Sequence, residues 1–245
     1  MTNKNKFLLL AGILLTITAV FIFSKKNKEL KENQFITFTV DIKKQDLKFF
    51  WKNDSNKIFG SIQNLKDWLN KKNTTLLFAM NGGMFKQDRS PQGLFIQENS
   101  TITPLDTTSG NGNFYLKPNG VFYITTGNIP VICTTTGFVN NATIKYATQS
   151  GPMLVINGKI HPAFKEASAN LNIRNGVGIL PDGKIIFAMS KKEINFYSFA
   201  SYFEQLGCKN ALYLDGFVSR AYAPGQNWLQ TDGDFGVIIG VIKNK

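Results

Sequence analysis

With 245 residues, 43% of them hydrophobic and 18% charged, the chain is long enough for one sizeable core and short for two, and its composition excludes a disordered or low-complexity protein. One His and two Cys without a Cys-x-x-Cys exclude a zinc site of the usual kind. The net charge of +12 does not mark a nucleic-acid partner, because residues 1–31 hold six Lys and one Glu and the remaining excess is scattered in pairs such as Lys43-Lys44, Lys71-Lys72 and Lys191-Lys192.

The uncharged run from Phe7 to Phe23 follows Lys4 and Lys6, as in a signal sequence or signal anchor. It has no polar face, which a soluble helix would show, and no small-x-small cleavage site stands near Phe21 to Ser24. The expectation is an uncleaved anchor and linker over residues 1–33, with a domain over 34–245 outside the cytoplasm in the cell envelope. Cleavage would instead release that domain to the periplasm. In such a compartment Cys133 and Cys208 either pair or remain two buried thiols.

Phe35 to Asp41 is rich in β-branched and aromatic residues and reads as a first strand, with Gln45 to Trp51 expected to return beside it. Ile62, Leu65, Trp68 and Leu69 recur at helical spacing between Ser61 and Lys72, and a hydrophobic strand, Thr75 to Met80, follows. Gly93 to Gln97, Asn113 to Leu116 and Gly120 to Thr125 read as short strands. Asn157-Gly158 between Met153–Ile156 and Lys159-Ile160 is the preferred dipeptide of a two-residue hairpin, and Pro181-Asp182-Gly183 turns a second hairpin. Asn195 to Leu206 puts Phe196, Phe199, Ala200, Phe203 and Leu206 on one helix face, with Gly207 as its stop. Strands at Ala211–Leu214 and Gly236–Ile242 close the chain. The fold class is α+β, a mixed and largely antiparallel sheet system with two main helices packed on it.

Four hydrophobic strands meet a polar residue beside glycine, an arrangement that sets a functional group at a strand end with open backbone around it. They are Met80-Asn81-Gly82-Gly83-Met84-Phe85, Gln149-Ser150-Gly151-Pro152-Met153, Ile173-Arg174-Asn175-Gly176-Val177-Gly178 and Tyr213-Leu214-Asp215-Gly216-Phe217-Val218-Ser219-Arg220. Taken singly, each is also what an ordinary turn requires. Taken together, in this order and spacing, they resemble the phosphodiester glycosidase family, and Gly112 to Gly120 and Arg220 to Pro224 fit its small bacterial envelope branch.

The resemblance implies a hydrolase that cleaves a glycosidic bond to phosphate in an envelope glycan or glycosyl phosphodiester. Phosphate leaves readily, so donors facing it matter more than a strong general acid. Arg174 is then the fork that grips phosphate oxygens, helped by the amides of Gly82, Gly83 and Gly151. Asp215 is the carboxylate, acting as base toward water or as nucleophile. Asn81, Asn175 and Ser219 bond sugar hydroxyls, while Ser150, Gly216 and Arg220 complete the substrate-binding set. His161 is available for acid or base work, and Asp88, Asp106 or Glu166 for a second carboxylate. No cofactor is identified; a divalent cation on Asp215 and carbonyl oxygens stays open, without an EF-hand spacing to support it. Where the family often continues Leu-Asp-Gly with Gly-Gly-Ser, this chain inserts Phe217 and Val218, so the sugar and the leaving group stay open. The alternative is a non-catalytic module that binds envelope glycan or an anionic polymer in the same cleft.

Overall fold

The computed structural model describes residues 34–245, and the expected anchor at Phe7–Phe23 lies outside the described residues. The compact unit Ile36–Lys245 carries the architecture. Among the described residues no helix is long and apolar enough to cross a membrane.

Three sheets make up the fold. The first has the order β1 (Phe35–Val40), β12 (Ile185–Ser190), β11 (Asn175–Ile179), β13 (Ala211–Asp215), β9 (Met153–Ile156), β10 (Lys159–Ile160). The second has the order β15 (Trp228–Leu229), β14 (Ala221–Ala223), β3 (Thr74–Asn81), β16 (Ile238–Asn244), β2 (Asp46–Phe50). The third has the order β5 (Ser100–Thr103), β4 (Phe95–Gln97), β8 (Ile144–Ser150), β6 (Gly120–Thr125), β7 (Pro130–Thr134). Every ladder of the second and third sheets is antiparallel, as are those running from β12 to β10 in the first. The α+β expectation holds in outline, with strand content dominating the two helices found among the described residues.

Two local expectations change. The strand over Gln45–Trp51 does not return beside β1; β2 pairs with β16, and β1 joins the other sheet beside β12. Asn113–Leu116 is not a strand, because Asn113–Tyr115 form a single 3-10 turn that drops Phe114 into the interior.

The abundance of phenylalanine is explained where the sheets meet. Phe78 of the second sheet packs on Phe187 of the first at 5.4 Å between ring centroids, and Phe187 meets Phe122 of the third edge-on at 6.0 Å. Rings contributed by all three sheets thus fill one shared core, each burying a large apolar area in edge-on or tilted contact.

Helix α1 (Ile62–Lys71) is capped by Ser61, whose hydroxyl accepts from the Asn64 amide at 3.2 Å, and it packs Ile62, Leu65 and Leu69 onto the second sheet. Helix α2 (Phe196–Gln205) starts at the Asn195 cap and lays Phe199 and Phe203 over the first sheet. Both rings need glycine beneath them. A side chain at Gly176 would stand 3.2 Å from Phe199, and one at Gly178 would stand 2.7 Å from Phe203. The two glycines of the Arg174–Gly178 motif therefore let a helix approach a strand.

Candidate active site

The last residues of β3, β8 and β13 and the first of β11 are Asn81, Ser150, Asp215 and Asn175, so the three sheets bring their polar strand ends to one place. A register shift between Asn175 and Gly176 sets Asn175 opposite Asp215 and Gly176 opposite Tyr213.

Asn175 and Asn81 form a buried amide bracket. The Asn175 amide nitrogen donates to Asn81 Oδ1 at 2.7 Å and to the Asn81 carbonyl at 3.0 Å, while Asn175 Oδ1 accepts from the Asp215 amide at 2.7 Å. Asn81 Oδ1 also accepts from the Arg220 amide at 3.0 Å, and Asn81 Nδ2 donates to Asp215 Oδ2 at 3.2 Å. The second carboxylate oxygen, Oδ1, takes the amides of Gly216 at 2.6 Å and Phe217 at 3.3 Å.

Asp215 is 6% exposed. Burial pushes its carboxyl up to about 6, against the opposing pull of the Gly216, Phe217 and Asn81 donors. These donors outline the charged form without a cation in contact, so the carboxylate sits near the balance point where a proton passes either way at neutral pH.

Several expected ligand contacts turn out to be buttresses. Ser150 Oγ donates to the Leu214 carbonyl at 2.7 Å, and Ser219 Oγ donates to the carbonyls of Asp215 at 3.0 Å and Ile173 at 3.3 Å. Together with Asn81 and Asn175 they brace the strand ends, their side chains bonding the carboxylate, its turn and one another.

Arg174 is likewise enclosed. Its Nε donates to the Ile194 carbonyl at 2.8 Å, its Nη2 to the Asn170 carbonyl at 2.8 Å and Asn170 Oδ1 at 2.9 Å, and its Nη1 to the Tyr213 hydroxyl at 3.3 Å. The guanidinium lies 3.6 Å over the Phe196 ring, and burial lowers its proton affinity. Most of its fork is thus engaged by the protein itself. His161 also has both ring nitrogens engaged by backbone groups. Its Nδ1 accepts from the Ala163 amide at 3.1 Å and its Nε2 faces the Lys117 carbonyl at 3.2 Å, which fixes a neutral ring, and burial pushes its pKa down further.

Arg220 remains open at the mouth. Its Nε lies 2.9 Å from both oxygens of Asp232 and its Nη1 donates to the Ser219 carbonyl at 3.0 Å, an arrangement that aims the fork while leaving Nη2 uncommitted. Of the glycine amides, Gly82 already donates to the Val237 carbonyl at 2.8 Å, whereas Gly83 and Gly151 lie outside the backbone ladders. A side chain at Gly83 would stand 2.6 Å from Thr148 Oγ1, and one at Gly151 would stand 2.6 Å from Asn119.

None of the candidates for a second carboxylate contacts Asp215. Asp88 is exposed and holds Ser90, Asp106 accepts from Thr108 and Tyr115, and Glu166 sits on an exposed loop. Among the described residues no cluster of three His, Cys, Asp or Glu forms that could hold a metal. Cys133 and Cys208 are free thiols, raised by burial to about 11 and about 12. A cavity of about 250 Å³ lies beside Tyr146 and Lys145, at the opposite end of β8 from Ser150, and is separate from this site.

One residue of the site carries no signal in the sequence. Tyr213 reads as another core aromatic of β13, yet its hydroxyl reaches past Asp215 and occupies the place where a Cβ on Gly216 would be. That contact is why glycine follows the aspartate here.

A family model described as phosphodiester glycosidase matches residues 74–240, a span that contains all four strand-end motifs and Asp215. The chain belongs to the phosphodiester glycosidase family. A relative within reach of direct alignment is the uncharacterized protein YigE of Escherichia coli (strain K12), 35% identical over 189 residues, covering 77% of this chain and 74% of that one. Among solved structures, the phosphodiester glycosidase fold is shared with the catalytic domain of zebrafish N-acetylglucosamine-1-phosphodiester alpha-N-acetylglucosaminidase, auto-inhibited by its pro-peptide. That likeness has a TM-score of 0.52 and 14% identity and covers 85% of this chain and 88% of that one. A hypothetical protein from Synechocystis matches with the same TM-score of 0.52 and 14% identity, over 85% of this chain and 59% of that one. At that identity the two structures speak to the fold alone.

Proposed function

We propose that this phosphodiester glycosidase family member hydrolyses a glycosyl phosphodiester, with Asp215 as the base that activates water. The observation that carries this reading is a lone buried carboxyl, raised to about 6, held by a bracket drawn from three strand ends. Asp215 Oδ1 is fixed by two amides, and Oδ2, with its one bond to Asn81 at 3.2 Å, keeps a lone pair for a water proton. Water oxygen attacks the anomeric carbon, its proton passes to Oδ2, and the glycosidic C–O bond breaks with its electron pair leaving on phosphate. The products are a free sugar and a phosphomonoester. Because that leaving group is already stabilised, the absence of a second carboxylate beside Asp215 is compatible with turnover.

Arg220 takes the role that sequence reasoning gave to Arg174, meeting the phosphate with the free part of its fork. The Phe7–Phe23 run supports an anchored domain acting on envelope glycans or glycosyl phosphodiesters outside the cytoplasm.

The test is a panel of glycosyl-1-phosphodiesters given to the wild type and to Asp215→Asn, following free sugar and phosphomonoester together. Equal release of both by the wild type, and none by the folded variant, is expected. Full turnover by Asp215→Asn refutes the assignment, and saturable binding without any release points to the non-catalytic module.

A further inference from the structure

The turn after Asp215 is anchored at every residue but one. Gly216 is locked against the Tyr213 hydroxyl, Val218 packs into the cluster that holds Trp68 and Phe85, and Ser219 is pinned to the Asp215 and Ile173 carbonyls. Phe217 between them is 95% exposed. An isolated exposed hydrophobe needs no explanation in general, but this one is held outward by its neighbours, and the space beneath the turn is already filled by Tyr213 and Val218. Its own amide donates to Asp215 Oδ1 at 3.3 Å, so the residue that carries the ring is in direct backbone contact with the reacting carboxylate.

The polar groups around that carboxylate offer a sugar little else. Asn81, Asn175, Ser150 and Ser219 all turn their side chains inward. A pyranose has one face of C–H bonds that stacks on an aromatic ring and an edge of hydroxyls that stays hydrated. We propose that Phe217 is the platform on which the sugar ring of the substrate stacks, and thereby the residue that determines which sugars this site accepts. The inference rests on reading Asp215 as the site of glycosyl phosphodiester chemistry. It assigns specificity to the residue by which this chain departs from a Gly-Gly-Ser continuation.

The experiment uses the full chain and two probes, UDP-N-acetylglucosamine for turnover and N-acetylglucosamine 1-phosphate for equilibrium binding by calorimetry. Phe217→Ala and Phe217→Leu are compared with Phe217→Trp. Loss of a stacked ring is expected to weaken binding and raise KM roughly 5- to 10-fold with kcat within about twofold. Leu is expected to behave like Ala, because it keeps apolar area without an aromatic face, and Trp is expected to restore or tighten binding. Leu binding as tightly as Phe, or a fall in kcat alone, overturns the inference while leaving the role of Asp215 intact. Ring-dependent binding without turnover sinks the catalytic reading and supports the platform. Absence of binding by the wild type to either probe overturns the platform for this sugar class.

Discussion

Replacing Asp215 by Asn should make the protein more stable at neutral pH and inactive. The carboxyl moves from an ordinary value of 3.8 to about 6 on folding, so the native state binds its proton more tightly than the unfolded chain does. Stability from this group is complete below pH 3.8 and is lost as pH rises through about 6, by about 3 kcal/mol at 1.36 kcal/mol per unit. Asparagine is neutral throughout and escapes that loss. It gives up the bond from Asn81, whose amide then faces another amide, at about 1 kcal/mol. The variant should therefore be about 1 kcal/mol less stable than the wild type at pH 3.5 and about 2 kcal/mol more stable at pH 7.5, a melting difference of roughly 4–8 °C. Urea unfolding of both proteins from pH 3.5 to 8 measures the swing, and differencing the curves removes the titration of every other group. Parallel curves, differing by a constant, would refute the view that Asp215 is ionised at a cost inside the fold.

Three further outcomes follow from the same contacts. Gly216→Ala is expected to lose about 2 kcal/mol through overlap with the Tyr213 hydroxyl, and Tyr213→Phe in the same chain should recover more than about 1 kcal/mol, a coupling read from a double-mutant cycle of denaturation midpoints. Arg174→Met should cost about 3 kcal/mol, because the Ile194 and Asn170 acceptors lose their donors, whereas Arg220→Ala should leave the melting temperature nearly unchanged and raise KM for a phosphodiester by about tenfold; thermal melts and initial rates separate the two. Ser61→Ala, far from the site, should cost about 1 kcal/mol by loss of the α1 cap, measured by urea unfolding with activity unaltered.

Features set by neighbours in the chain were legible without a structure. Gly207 takes a positive φ of 79° at the end of its helix, and Asn157-Gly158 turns its hairpin with φ values of 51° and 79°. The convergence of Asn81, Ser150, Asn175 and Asp215 also followed from a repeated local device, a strand ending in a polar residue beside glycine. What those side chains do once assembled did not. Asn175 meets Asn81 across 94 residues and Asn81 meets Asp215 across 134, and nothing local says whether an amide at a strand end faces a ligand or another strand end. The surroundings of Arg174 were illegible for the same reason, since the ring that covers it, Phe196, and the carbonyls that occupy it come from segments that the motif does not contain. The place of β2 was illegible because its partner, β16, is the last strand described.

The position of β16 bears on how the sheet that holds Asn81 is completed. This strand lies between β3 and β2, and Ile238 pairs with Asn81 on one side and Phe50 on the other. A chain that has completed Asp215 still lacks the interior strand that pairs with Asn81, and the gap between β3 and β2 is filled only when β16, which follows Asp215 in the sequence, is added. Loss of β16 therefore removes an interior strand rather than an edge.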